Sequence, residues 1–339
     1  MKKSIGFVGI GQCGGNITSL FEEGGYKTFY INTSLEDLST LSLSNENYYY
    51  IQEANGSNHN RSKAINYIKD HYENIINQIR DQFKEQDIVY LVFSAGGGTG
   101  SGISPLLLDM LSTNYKDKVF GAICALPDIN EALNVQVNAY NCMVQISNIN
   151  KLGSVFVLDN SKNSNKELVN TEFYKCFDSV INIPKNTSKK GNIDIAEIKE
   201  VLSVRGLATI SKFSSDTTSI VKSLEQGCFA YQKDKNVVYM ALSLNGDIDM
   251  SSLINHIGNP YDVFINYNTD QNICCLSGMS FPKDRINTIK AIIENQKEEI
   301  ESTIENSKNN SIKNELSWDI QLKNNNKSLE FNQIFSKYQ

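Results

Sequence analysis

The run Ile88-Val89-Tyr90-Leu91-Val92-Phe93-Ser94-Ala95-Gly96-Gly97-Gly98-Thr99-Gly100-Ser101-Gly102 decides the fold. Positions 88–93 are continuously apolar, the pattern of a strand covered on both faces. The strand passes without a linker into five glycines within the seven positions 96–102, and a helix follows at once. Glycines there remove Cβ atoms where the main chain must approach a ligand closely, and they permit unusual dihedrals. Backbone N–H groups then converge at a helix N-terminus, whose positive dipole end favours phosphate oxygens. A flexible turn would not need so many glycines between a buried strand and a helix. No G-K-[ST] is present, so phosphate charge is expected to be balanced by backbone dipoles and magnesium instead of a P-loop lysine.

Outward from this loop, short apolar runs at 5–10, 28–31, 48–51, 88–93, 119–126 and 155–158 alternate with amphipathic stretches. The clearest helix is expected over 61–83, with Ile65, Ile68, Tyr72, Ile75, Ile79 and Phe83 on one face. Strands alternating with helices predict a doubly wound parallel sheet, whose ligands bind at the carboxyl ends of the strands. A second glycine loop, Gly9-Ile10-Gly11-Gln12-Cys13-Gly14, satisfies the dinucleotide pattern G-x-G-x-x-G. A dehydrogenase places an acid at the end of the second strand to hold a ribose. Here that strand ends in Asn32-Thr33-Ser34, with the first acid at Glu36, which leaves an NAD-dependent oxidoreductase as a remote alternative.

The chain has 339 residues, 40% of them hydrophobic and 21% charged, which suits a soluble protein of about two domains. A net charge of -6 argues against a chain built as a whole to coat DNA or an anionic membrane. Seven cysteines without a C-x-x-C pair indicate neither a disulfide framework nor a structural zinc site, and point to reducing cytoplasm. Met1-Lys2-Lys3 and the apolar residues after it imitate a signal peptide, but that run ends at Gln12 and is read as a buried strand. No apolar run approaches the ~18 residues of a membrane span, so membrane insertion is not expected.

Taken together, the motifs resemble the tubulin and FtsZ superfamily of polymerising GTPases. Gly-Gly-Gly-Thr-Gly-Ser-Gly at 96–102 is similar to that family's signature. Gly11-Gln12-Cys13-Gly14 resembles the opening nucleotide loop of eukaryotic tubulin, Ile31-Asn32-Thr33 the next loop, and Asn192-Ile193-Asp194-Ile195-Ala196-Glu197 the loop that completes the neighbouring subunit's active site. The match covers roughly residues 5–285. It implies GTP or GDP with Mg2+ as cofactors, and no metal cluster of the protein's own.

The resemblance also implies roles. Gly11, Gln12 and Cys13 would line the phosphate and base region, with Asn16 facing the nucleotide and Asn32 in the second loop. Gly96, Gly97, Gly98, Thr99, Gly100 and Ser101 would hold the α- and β-phosphates. Gly56 and Ser57 sit where the family senses the γ-phosphate, and His59 beside them reads as an exposed loop histidine. Glu131 or Asn138 would serve the ribose, Glu131 being slightly favoured. Guanine recognition needs an uncharged amide offering a donor and an acceptor, and Asn160 of the Asp159-Asn160 pair is the first choice. Asn170 is a second amide, with Phe173 or Tyr174 to stack on the ring.

The implied architecture has a GTP-binding domain over 1–165, a central helix and linker over 166–190, an activation domain over 191–283 and a C-terminal helix and tail over 284–339. Strand patterns at 207–213, 237–244, 263–267 and 273–279, with helices at 217–225 and 251–257, suit the smaller mixed-sheet domain. Asp194 and Glu197 would share one face of a helix start, as a water-polarising pair with Asn192 acting on GTP in the next subunit, or simply as acids favoured by the dipole. A helix is expected over 284–304. Residues 306–339 then carry five Lys against three acids, about +2. Leu316, Trp318, Ile320 and Leu322 alternate as a strand would, and 329–338 is again apolar. No Pro-containing terminal peptide of FtsZ type is evident, so the tail resembles that of TubZ-type proteins that move plasmid or phage DNA; an FtsZ-like division GTPase is the alternative. The partners implied are further copies of the chain and a DNA-binding adaptor at the tail, without direct DNA binding.

Overall fold

The structure is a computed structural model that describes residues 1–309 except 42, 44–46, 53, 55, 215 and 268. The tail segments 316–322 and 329–338 therefore lie outside the described residues. Two compact units are present, Met1–Gln296 and Lys297–Gln339.

The first unit is built on one sheet. Six parallel strands, β1 (Ile5–Ile10), β2 (Lys27–Asn32), β3 (Tyr48–Tyr50), β4 (Ile88–Ser94), β5 (Val119–Leu126) and β6 (Ser154–Asp159), lie in the order β3-β2-β1-β4-β5-β6. This is a doubly wound order, and it reverses between β1 and β4. The two glycine loops follow those two strands, so the reversal point brings them face to face. The strands of the second half, β7 (Gly206–Phe213), β8 (Tyr239–Leu244), β9 (Asp262–Tyr267) and β10 (Asn272–Met279), continue the sheet as β7-β10-β8-β9. There β10 runs antiparallel to both neighbours while β8 and β9 are parallel, a mixed sheet joined to the parallel half through the short β6–β7 ladder.

Helices α1 (Gly11–Glu23), α2 (Leu35–Ser39), α3 (Arg61–Ile68), α4 (Tyr72–Gln82), α5 (Thr99–Asn114) and α6 (Leu133–Ser147) cover the parallel half. The expected helix over 61–83 is thus two, interrupted at 69–71. At the break the His71 ring lies 2.8 Å, through Nδ1, from the Tyr49 hydroxyl. Of the expected face, Ile68, Ile75, Ile79 and Phe83 are buried and Ile65 and Tyr72 only partly so.

Helix α7 (Lys166–Asn182) is the central helix, and its buried stripe Val169, Phe173, Cys176, Phe177, Val180 and Ile181 repeats at helical spacing. Phe173 and Phe177 enter an aromatic cluster with Phe7, Phe21, Tyr90 and Phe156, in which Phe7 stacks on Phe21 at 3.9 Å. Aromatic packing of this kind gives α7 a fixed seat across the sheet. Helices α8 (Ile195–Ser203), α9 (Thr217–Gln226) and α10 (Met250–Ile257) attend the mixed half, and α11 (Lys283–Asn309) closes the described chain. All seven cysteines are free. Among the described residues no helix is long and apolar enough to cross a membrane.

Candidate nucleotide-binding site

The loops after all six parallel strands, β1 to β6, line a cavity of about 690 Å³ at the carboxyl end of the strands. That volume lies within the range of small-molecule sites. From the first loop, Gly11, Gln12, Cys13 and Asn16 line it. Gly11 starts α1 at φ +71°, a value that favours glycine, and places the helix N-terminus against Gly100.

From the loop after β4, Gly96, Gly97, Gly98, Thr99 and Gly100 line the cavity. None of the glycines from 96 to 102 has a positive φ. Close approach, not dihedral freedom, therefore explains this run. A Cβ at Gly98 would stand 2.3 Å from Ser57 Oγ and one at Gly96 2.4 Å from Val135 Cγ1, whereas one at Gly97 would face open space. Thr99 brings its hydroxyl 2.7 Å from that of Thr33 and 3.0 Å from that of Ser57, so three loops converge on one point. Ser101 turns away: its hydroxyl donates to the Gly97 carbonyl and is not part of the lining.

Neither α1 nor α5 has a side-chain N-cap, and neither carries an acid in its first turn. Their leading N–H groups are left for a ligand, and both dipoles favour an anion in the cavity. The start of α5 is braced from outside. Pro105 has no N–H with which to take up the carbonyl four residues earlier. That carbonyl, Ser101 O, instead accepts from Arg61 Nε and Nη2 at 3.2 and 2.9 Å.

Asn32 and Asn138 lie outside the lining and act on the loops that form it. Asn32 Oδ1 accepts from Thr33 N and Ser34 N, and its Nδ2 donates to Asp37, shaping a turn that presents Thr33, Ser34, Glu36 and Asp37 to the cavity. Asn138 Nδ2 donates to His59 O at 2.8 Å and Gly96 O at 3.1 Å, tying the γ-phosphate candidate loop to the glycine loop. Gly56, Ser57, Asn58 and His59 line that side, and Asn58 and His59 take positive φ values of 48° and 57°.

Glu131, Asn160 and Asn170 also line the cavity. Asn160 is 7% exposed, and its Oδ1 is buried without a hydrogen-bond partner. A buried acceptor left unpaired is costly, and a ligand donor in the cavity would satisfy it. Glu131 Oε1 accepts from Asp128 N and from Lys166 Nζ at 2.8 Å. Among the described residues Lys166 is the one Lys or Arg of the lining, and nothing local in the sequence links residue 166 to residue 131. Burial pushes the Cys13 thiol up to about 11, with Lys166 partly opposing the shift, so Cys13 faces the cavity as a neutral group. Tyr174 does not reach the cavity; its ring packs edge-on against Phe21, and Phe173 is wholly in the core.

Asn192, Asp194 and Glu197 are not part of this cavity either. Lys166, Glu167 and Asn170 at the head of α7 line it, whereas these three follow the other end of that seventeen-residue helix, which is about 25 Å long, and Lys199 of α8 pairs with Asp87 just ahead of β4, at the opposite end of the strand from the glycine loop. Asp194 caps α8, accepting from Glu197 N at 2.9 Å, while Glu197 accepts from Asp194 N at 2.7 Å. The Asn192 side chain accepts from Ser188 N.

Parallel order, paired glycine loops at the reversal point, a central helix and a mixed second half define a nucleotide-binding protein of the tubulin/FtsZ class. Residues 4–166 match the model of the Tubulin/FtsZ family, GTPase domain. The chain is 32% identical over the full length of both proteins to the tubulin-like protein TubZ of Clostridium botulinum C phage. It belongs to the tubulin/FtsZ family. The crystal structure of TubZ from the C. botulinum phage c-st superposes with a TM-score of 0.82 at 31% identity, covering 88% of this chain and all of that one. A GTPγS-form protofilament of Bacillus thuringiensis serovar israelensis TubZ shares the fold, with a TM-score of 0.79 at 18% identity over 90% of this chain and 95% of that one.

Proposed function

We propose that the protein binds GTP in the 690 Å³ cavity, polymerises head to tail, and hydrolyses GTP when the 192–197 loop of one subunit meets the nucleotide of the next. The separation along α7 carries this reading. Asp194 and Glu197 follow the far end of this helix, which is about 25 Å long, and belong to the element whose Lys199 pairs with Asp87 ahead of β4, so a second copy is needed to bring them to the cavity. Gly11 to Cys13 and Gly96 to Gly100 would surround the phosphates, Gly56 and Ser57 the γ-phosphate, Glu131 the ribose, and Asn160 with Asn170 the base. No group of three His, Cys, Asp or Glu side chains suited to a metal occurs among the described residues. Mg2+ would be held by phosphate oxygens and water beside the Ser57, Thr33 and Thr99 hydroxyls, where it would neutralise charge on the phosphates.

Residues 1–165 would thus be the GTP-binding part, 166–190 the central helix and linker, 191–283 the activating part, and 284–339 the C-terminal helix and tail. Segregation of plasmid or phage DNA in the cytoplasm is the favoured role, through a DNA-binding adaptor at the tail. The overall charge of -6 supports an adaptor over direct DNA binding. Light scattering and pelleting with GTP, GDP and NAD test the reading, together with phosphate release over a range of protein concentrations. Polymer with GTP alone and release per subunit that rises with concentration are expected. Release independent of concentration would refute a shared active site.

A further inference from the structure

A buried ion pair outside the cavity connects the loops that carry the sugar and base candidates. Arg285, in the first turn of α11, directs Nε to Asp159 Oδ1 and Oδ2 at 3.1 and 3.0 Å, with side-chain exposures of 10% and 3%. Its Nη2 donates to the carbonyl of Pro127 at 2.6 Å. Pro127 follows β5 directly and opens the loop that leads to Glu131, while Asp159 ends β6. One guanidinium therefore holds both loops.

The Asp159 carboxylate has a second task. Its Oδ1 accepts from Ser161 N at 3.0 Å and Ser161 Oγ at 2.7 Å, capping the single helical turn Asn160–Lys162. Asn160, with its unpaired Oδ1, sits on that turn. The helix head is fixed in turn by reciprocal hydrogen bonds between Gln232 and Asp284. Only a planar, multi-donor group can grip a carboxylate and a neighbouring carbonyl in this way; a lysine offers one compact charge. A buried ion pair is weak evidence for net stability, and its better attested use is to fix geometry.

We infer that Arg285 is a positioning residue for base selection, which acts through Asp159 to hold the Asn160 amide at the angle that accepts from guanine. The inference rests on the assignment of Asn160 to the base. Guanine presents N–H donors where adenine presents an unprotonated nitrogen, so a misaligned Oδ1 costs GTP and leaves ATP nearly unaffected.

The test uses the full chain as wild type, as Arg285→Lys, and as the double variant Asp159→Asn/Arg285→Met, which removes both charges and leaves neither unpaired. Melting temperature and the dissociation constants of GTP and ATP are measured for each. The double variant is expected to fold and to lose about ten-fold in its preference for GTP over ATP, the worth of one well-aligned hydrogen bond. Arg285→Lys should move the same way by a smaller factor. Folded variants that keep the wild-type preference, or that lose both nucleotides equally, overturn the inference. A wild type that does not prefer GTP overturns the Asn160 assignment itself, and the two failures are distinct.

Discussion

Gly97 and Gly98 are neighbours with opposite surroundings, and alanine at each separates room for a ligand from room for the fold. A Cβ on Gly97 finds only Ser94 Cβ, at 3.9 Å. On Gly98 it would stand 2.3 Å from Ser57 Oγ, 2.8 Å from Asn60 N and 3.0 Å from His59 C. The Ser57 hydroxyl can rotate aside, but the backbone at 59–60 must move. Overpacking of this kind costs about 1–3 kcal/mol, so nucleotide-free Gly98→Ala should melt several degrees lower. Gly97→Ala should melt within about 0.5 kcal/mol of wild type, because its methyl group enters the cavity. There it would push phosphate oxygens from two N–H groups, at about 1.5–3 kcal/mol each, a loss of roughly 100- to 10,000-fold in GTP affinity. Thermal melting without nucleotide and titration with a fluorescent GTP analogue read the two effects separately. Wild-type GTP affinity in Gly97→Ala would remove the glycine loop from the phosphate site. An unchanged melting point for Gly98→Ala would refute the packing account.

Asn160→Ala should weaken GTP by about 0.5–1.5 kcal/mol per lost hydrogen bond and relax discrimination against ATP; competition binding checks this, and equal competition by ATP in the wild type would refute it. Glu197→Ala should leave GTP binding intact and filaments persistent while hydrolysis falls on the order of 100- to 10,000-fold, whereas a purely capping role predicts only about 0.5–2 kcal/mol of lost stability and normal phosphate release per pelleted subunit. For Cys13, whose thiol burial pushes up to about 11, maleimide labelling should be slow at neutral pH, rise about ten-fold per pH unit between 7 and 9 as thiolate forms, and be blocked by GTP. A rise that falls well short of ten-fold between pH 8 and 9, as for an ordinary thiol with a pKa near 8.5, would contradict that environment.

Several features were legible from local sequence because local physics imposes them. The apolar run at 88–93 had to be a buried strand. The glycines after it marked a close backbone approach, although the structure makes steric room, not dihedral freedom, their reason. The alternation of strands and helices set the parallel sheet. Tertiary structure alone decided which side chains hold the site in shape. Asn32 and Asn138 resembled ligand contacts and prove to brace loops. Pro105 leaves a carbonyl of α5 without its helical partner, and only the fold supplies Arg61 to it. Lys166 meets Glu131, and Arg285 meets Asp159, across 35 and 126 residues of chain. Periodicity and glycine content act within a few residues and so are written in the neighbourhood of each element. A charge pair that spans the sheet is set by which strand ends the topology places side by side, and no neighbouring residue carries that information.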